Sequence, residues 1–282
     1  MNFTMDNPIR CVALDFDLTT YDYSRPRDTR VLLPWFQRLQ EAGVMVGIAS
    51  GRTLENLREE LRRIDIPWRD PFPQFVIHEE FYIHWPDAPH QEEISQWNDA
   101  CADAVEELCR GFRPHFDSCA AQMERLGIKI EAGVVENDAG LTLVLENPAG
   151  AERARVILQD MVPPGSSARI SRNHHILLAT PAEYHKGSAL DRLRLLGGLD
   201  SSDVLAIGDN LNDLAMLEAS RGFRCATVSN ADPRVGNLVA DRGGRQAAKP
   251  IAFGVVELFD WIFGSKELSG PEEDGLVCEA QV

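Results

Sequence analysis

The sequence predicts an α/β protein: a Rossmann-like parallel sheet core interrupted by an inserted α+β domain. Three observations predict it. Strand and helix patterns alternate near both ends of the 282-residue chain. The middle switches to a helix-strand-strand pattern that occurs twice. Four apolar runs end in polar groups, at Asp15 and Asp17, at Ser50, at His78 and at Asp209. In open α/β sheets ligands bind beyond the carboxyl ends of the strands, so one shared site is expected there.

The first strand is expected over Ile9–Leu14. Apolar spacing then predicts a helix over Asp28–Glu41, stopped near Gly43. A buried strand follows over Val44–Ala49 and a charged amphipathic helix over Thr53–Ile64. A third strand covers Phe75–Ile77, with continuation through Ile83. Such alternation implies parallel strands covered by helices. Residues 1–84 and 183–264 are therefore assigned to this core.

Residues 85–182 form the inserted domain. Helices are expected over Glu93–Phe112 and Phe116–Leu126. Strands Ile128–Glu136 and Leu141–Glu146 flank the turn-prone Asn137-Asp138-Ala139-Gly140. Glu152–Met161 reads as a helix, ended by Pro163-Pro164-Gly165, and strands Ala168–Ser171 and Ile176–Ala179 follow. After Pro181 the core pattern returns, with helices at Gly187–Leu196, Leu211–Ala219 and Phe253–Phe263 and strands at Val204–Ile207 and Phe223–Val228. The segment 265–282 mixes Pro, Gly and acids and is expected to be a disordered acidic tail.

A hydrophobic content of 44% supports a sizeable core. A net charge of −16 argues against a broad nucleic-acid surface, which needs clustered Lys and Arg. Six cysteines show no Cys-x-x-Cys spacing, which points to a reducing compartment and no disulfide framework. No stretch has the roughly 20 apolar residues of a membrane span. The N-terminus, with Asp6 and Pro8, lacks a signal-peptide core. A cytoplasmic protein, monomeric or homodimeric, is the expectation.

The acids carry the chemistry. An apolar run ends in Asp15-Phe16-Asp17-Leu18-Thr19, and another in Gly208-Asp209-Asn210-Leu211-Asn212-Asp213. Carboxylates delivered by separate strands suit a Mg²⁺ site, with Asp15, Asp17, Asp209 and Asp213 as metal ligands and Asp17 offering its backbone carbonyl. Phosphate-ester hydrolysis needs a nucleophile, charge neutralisation and a proton for the leaving group. Asp15 fits the nucleophile, Asp17 the general acid and base, and Lys186 the neutralising cation. Ser50, Gly51 and Arg52 fit a phosphate cradle at a helix start, with Thr19 and Asn212 supporting it.

In this order the segments resemble the four motifs of the haloacid dehalogenase (HAD) superfamily. The insertion is similar to its type IIB cap, of the Cof-type and sucrose-phosphatase-like branch. The resemblance implies the HAD fold and the same residue roles. It also implies a Mg²⁺-dependent phosphatase that cleaves a small phosphorylated metabolite, a sugar phosphate foremost, through an aspartyl phosphate. A phosphomutase of the phosphomannomutase type and a non-catalytic phosphometabolite-binding protein are the alternatives. The chain departs from the family at Leu18 and Thr20, and at His78-Glu79-Glu80-Phe81, where many relatives carry Glu-Asn-Gly.

Some residues have plainer readings. His78, Glu79, Glu80 and His84 match no zinc spacing and read as strand-end residues. His174 and His175 read as exposed residues of a hairpin turn. Ser50 alone would be an N-cap. Asp213 alone would stabilise its own helix start, and Arg52 would pair with a nearby acid.

Overall fold

The computed structural model describes residues 8–162 and 165–264. The expected acidic tail and Cys278 lie outside them.

The larger sheet has the strands β1 (Cys11–Leu14), β2 (Met45–Ala49), β3 (Val76–His78), β4 (Tyr82–His84), β9 (Val204–Ile207), β10 (Arg224–Thr227) and β11 (Arg245–Gln246). Their order is β11-β10-β9-β1-β2-β3-β4, parallel except for the β3–β4 hairpin. All four residues of β1 are buried, as in a strand covered on both faces. One face packs on α1 (Leu33–Glu41), α2 (Leu54–Arg63) and α8 (Ile251–Phe263) through Phe36, Leu57, Leu61 and Phe259. The other packs on α5 (Lys186–Leu196), α6 (Leu214–Leu217) and α7 (Pro233–Asp241) through Leu190, Leu193, Met216 and Val235.

The cap contains α3 (Gln91–Arg125), α4 (Pro148–Met161) and the antiparallel strands β5 (Ile130–Asn137), β6 (Gly140–Leu145), β7 (Ala168–Asn173) and β8 (Ile176–Pro181), ordered β5-β6-β8-β7. The two helices expected on either side of Arg113-Pro114 are one helix. The buried stripe Val105, Leu108, Phe112, Phe116, Cys119 and Met123 continues through the proline. That shared face outweighs one lost helical hydrogen bond.

Three further differences are local. Pro26–Leu32 forms a 3-10 segment before α1, with Pro34 in the first turn of the α-helix proper. The loop Leu211–Asp213 is also 3-10 and precedes the single turn of α6. The third strand does not run on to Ile83. It reverses at Glu79 and Glu80, both left-handed at φ 48° and 73°, and β4 returns antiparallel.

β4 is an edge strand, and α3 covers it. Asn98 Oδ1 accepts the Ile83 N–H at 2.9 Å, and Asn98 Nδ2 donates to the Ile83 carbonyl at 3.0 Å.

The chain leaves β1 towards β2 on one side and returns from the cap to β9 on the other. The boundary between β1 and β9 is therefore the topological switch point, where a ligand crevice forms.

Candidate active site

The β1–β9 register places Leu14 beside Ile207, and Asp15 N–H extends the ladder to the Ile207 carbonyl at 2.8 Å. Ser50 N–H does the same to Ile77 at 2.8 Å. Asp15, Ser50 and Asp209 thus leave the sheet at one level.

Asp15, Asp209 and Asp213 each offer an oxygen within 4.8 Å of the others, and all three are buried. Lys186 is fully buried and donates to Asp15 Oδ1 at 2.6 Å and to Asp213 Oδ1 at 2.7 Å. The first residue of α5 is a poor place for a cation by helix-dipole reasoning. These two carboxylates override it: burial pulls the ammonium pKa down, but Asp15 and Asp213 hold it well above the ordinary lysine value.

Burial and the charge of Asp213 push the Asp15 carboxyl well above its usual range. The same causes raise Asp209 to about 7. Three carboxylates against one ammonium leave excess buried negative charge. A divalent cation with a taste for oxygen ligands answers that excess, so the donor set fits Mg²⁺. Asp15 and Asp209 have the reach to share one ion.

Asp213 is strongly engaged. Its Oδ2 accepts the N–H groups of Asp209 and Asn210, both at 3.0 Å, besides the lysine contact of Oδ1. It therefore also stabilises its own helix start. Gly208 is required beneath it, since a Cβ there would lie 2.6 Å from the Asp213 side chain. Thr19 Oγ1 donates to Asp209 Oδ1 at 2.8 Å, so its hydroxyl braces an acid of the carboxylate cluster.

Asp17 lies outside the three-carboxylate cluster. Arg52 grips it with Nε at 3.0 and 2.9 Å and Nη2 at 2.8 Å. The guanidinium sits among the rings of Phe16, Tyr21 and Tyr23. Arg52 thus pairs with the acid expected to shuttle protons. Ser50 Oγ accepts the Arg52 N–H at 3.1 Å, while Thr53 is the actual N-cap of α2.

Glu80 corrects the sequence reading, which made it an ordinary strand-end residue. The left-handed reversal turns its side chain inward, where it is 5% exposed. Its Oε1 accepts from Asn212 Nδ2 at 3.0 Å, and a Cβ on Gly51 would stand 2.5 Å from that oxygen. Gly51 therefore admits Glu80 to the site. Burial raises the Glu80 carboxyl, against the pull of Lys186 and Asn212. Asn212 keeps a buried Oδ1 without a partner. The available signal was the departure of Glu79-Glu80 from Asn-Gly at a position needing positive φ.

His185 is the N-cap of α5, with Nδ1 accepting the Ser188 N–H at 3.1 Å. His174 and His175 do form the β7–β8 turn, but both are half-buried rather than exposed. The turn lies against the core loop, where Asn210 Nδ2 donates to Asn173 Oδ1 at 3.2 Å.

Fold and site define a capped parallel-sheet protein with an acidic, lysine-locked crevice. The family model for haloacid dehalogenase-like hydrolases matches residues 135–241. A phosphoglycolate phosphatase from Methanothermobacter thermautotrophicus is 48% identical over 56 residues, 20% of this chain and 24% of that protein. The 5-amino-6-(5-phospho-D-ribitylamino)uracil phosphatase of Bacillus subtilis is 40% identical over 65 residues, 23% of this chain and 22% of that protein. The chain thus spans about a quarter of the length of these curated relatives. The sucrose-phosphatase of Synechocystis sp. PCC6803, solved with sucrose and phosphate, superposes with a TM-score of 0.67 at 17% identity, over 90% of this chain and 98% of that one. Over residues 135–241 the chain is similar to haloacid dehalogenase-like hydrolases, and its fold is that of the sucrose-phosphatase structure.

Proposed function

We propose that the protein is a Mg²⁺-dependent phosphatase that hydrolyses a small phosphorylated metabolite, foremost a sugar phosphate, through a phosphorylated Asp15. The observation that carries this reading is Asp15 itself, at the switch point, touching Lys186 at 2.6 Å and within metal-sharing reach of Asp209. The relatives named for phosphoglycolate and ribityl phosphate substrates, and the fold likeness to a sucrose-phosphatase, support the class of substrate.

In the first step an Asp15 oxygen attacks phosphorus and the ester P–O bond breaks. Asp17 gives its proton to the leaving oxygen. In the second step Asp17 takes a proton from water, water oxygen bonds to phosphorus, and the Asp15–phosphorus bond breaks. Lys186 neutralises charge near the nucleophile throughout. Ser50, Gly51 and Asn212 line the phosphate side, and Arg52 orients Asp17. Asp15 and Asp209 would hold the ion with the Asp17 carbonyl, Asp213 standing behind them. Bound there, Mg²⁺ supplies charge neutralisation and alignment of the phosphate.

The test is phosphate release from sugar phosphates, nucleotides and phosphorylated cofactors, with and without Mg²⁺. Asp15→Asn should lower kcat by roughly a thousandfold or more while the melting temperature holds, because the covalent route is lost. Robust turnover in that variant rejects the mechanism. Conversion of a hexose 1-phosphate to its isomer without free phosphate would favour a mutase; binding without release would favour a sensor. Five buried free cysteines among the described residues support the proposal of a reducing, cytoplasmic setting. Among those residues no helix is long and apolar enough to cross a membrane.

A further inference from the structure

The mechanism above gives no task to Glu80. This acid is buried in the crevice, yet it belongs neither to the Asp15, Asp209 and Asp213 cluster nor to the Asp17–Arg52 pair. On one side its N–H donates to the Ser50 carbonyl at 3.1 Å, and the N–H of Glu79 donates to the Arg52 carbonyl at 2.9 Å. On the other side its Oε1 accepts from Asn212 Nδ2 at 3.0 Å, a contact that spans 132 residues of chain. Between the two its carboxyl group fills the space beside Gly51, where a Cβ would lie 2.5 Å from Oε1. Ser50, Gly51 and Asn212, the three groups assigned to the phosphate side, all border this one residue.

The backbone that puts it there is strained. Glu79 and Glu80 are both left-handed. Glycine takes that conformation at little cost, whereas other residues keep it where the surrounding structure enforces it. Glycine at position 80 would relieve the strain, but it would leave Gly51 unpacked and Asn212 unheld. A carboxylate accepts hydrogen bonds and donates none, so Glu80 is no partner for a phosphate oxygen. Its effect must pass through the groups it touches. Asn212 Nδ2 carries two hydrogens; giving one to Glu80 fixes the plane of the amide and the direction of the other.

We propose that Glu80 is a positioning residue, which locks the Ser50–Arg52 loop and the Asn212 side chain in one register and so sets the phosphate side of the crevice before substrate arrives. This inference rests on the phosphatase reading. Presetting matters because a displacement of about 1 Å in a site costs on the order of a hundredfold in rate. The brace acts on the phosphate side, so its loss is felt alike whatever alcohol leaves.

The experiment measures kcat and KM for p-nitrophenyl phosphate and glucose 6-phosphate with Mg²⁺. It compares wild type with Glu80→Gln, Glu80→Ala, Gly51→Ala, and Gly51→Ala combined with Glu80→Ala. Glu80→Ala should lower kcat and kcat/KM together by roughly 10- to 100-fold on every substrate turned over, the sign of positioning lost in the transition state. Glu80→Gln keeps the length and an acceptor oxygen, and should stay within about threefold of wild type. Gly51→Ala should match Glu80→Ala, and the double variant should be no slower than either, since the new methyl group then has no carboxyl group to displace. Melting curves accompany each variant, because a merely structural residue would lower the melting temperature and leave the kcat of the folded enzyme unchanged. Native kcat in Glu80→Ala overturns the inference. So does Glu80→Gln as slow as Glu80→Ala, which would make charge rather than bracing responsible, and so does a loss confined to KM. Should Glu80→Ala not fold, a native kcat in Gly51→Ala overturns it instead. Phosphate release by wild type alongside any of these results rejects only the role of Glu80. No release by wild type from these substrates, or from the nucleotides and cofactors tested above, rejects the phosphatase reading, and this inference falls with it.

Discussion

The core crevice and the cap face that meets it are built to different standards. In the core, Lys186, Asp15 and Asp213 join at 2.6 and 2.7 Å, all fully or almost fully buried. Asp213 packs so tightly on Gly208 that a Cβ there would lie 2.6 Å from it. On the cap side the contacts are mixed, with Arg172–Asp232 at 2.8 Å but Asn173–Asn210 at 3.2 Å, and the His174 Nε2 has no partner. The contrast teaches a division of labour. Charged groups of the core are held by short ion pairs, whereas polar atoms beside the seam, His174 Nε2 on the cap and Asn212 Oδ1 on the core, are left without partners.

The contrast breaks hardest at Lys186. Lys186→Met leaves two buried acids uncompensated and should cost about 3–5 kcal/mol in chemical denaturation without metal. Added Mg²⁺ should return part of that loss, because binding to the folded state stabilises it by mass action. A loss below about 1 kcal/mol would mean that the crevice is not locked by charge.

Gly208→Ala comes next. The new methyl group must displace Asp213, costing about 1–3 kcal/mol as an overpacked site does. kcat should fall with it, since Asp213 holds both the lysine and the loop. A variant with native stability and kcat would show that the loop yields freely.

Arg172→Gln cuts the bond from the cap to Asp232. Because it loosens the cap rather than the crevice, KM should rise several-fold with kcat little changed. Stability should fall by about 1–3 kcal/mol, because Arg172 is buried and its loss leaves the mostly buried Asp232 with Arg234 alone. Equal falls in kcat and kcat/KM would place Arg172 with the chemistry instead.

The smallest effect is a pH dependence. Burial, with Arg169 and Arg221 nearby, pushes the His185 ring down to about 3 from 6.5. Between those values the unfolded chain binds a proton that the folded chain refuses, so stability falls as pH drops through that window. Arg155, Arg234 and Arg172 hold Glu152 down to about 2 despite burial, against an ordinary value of 4.5. Its contribution is present above 4.5 and is lost only as pH falls below that. Urea titrations at pH 7 and 5 also register His84 and His174, both held down by burial, and Asp209, raised to about 7, so the His185 share is the part of the difference that His185→Asn removes. An equally steep loss in that variant would refute the assignment.

Much of the crevice was legible because it is local. An apolar run that ends in an acid says where a strand stops, and β1 and β9 stop at Asp15 and Asp209 through that rule alone. Lys186 was legible from its place after the insertion. The missed features depend on distance or on rare backbone. Pro114 reads as a helix end until the sheet beneath α3 is seen holding both halves. Glu80 enters the site only because two successive residues turn left-handed. His174 reads as an exposed turn, yet it is half-buried where Asn173 docks on Asn210. Thr19 and Asn212 were read as phosphate supports, and their hydrogen bonds to Asp209 and Glu80 belong to a network no spacing reveals.

Asn98 has a consequence beyond its place on α3. Its amide imitates the peptide group of an absent neighbouring strand, capping the open rim of β4. Replacing it with Leu would expose a template for strand addition by another molecule. The outcome would be self-association that grows with concentration, in a chain whose chemistry is otherwise intact.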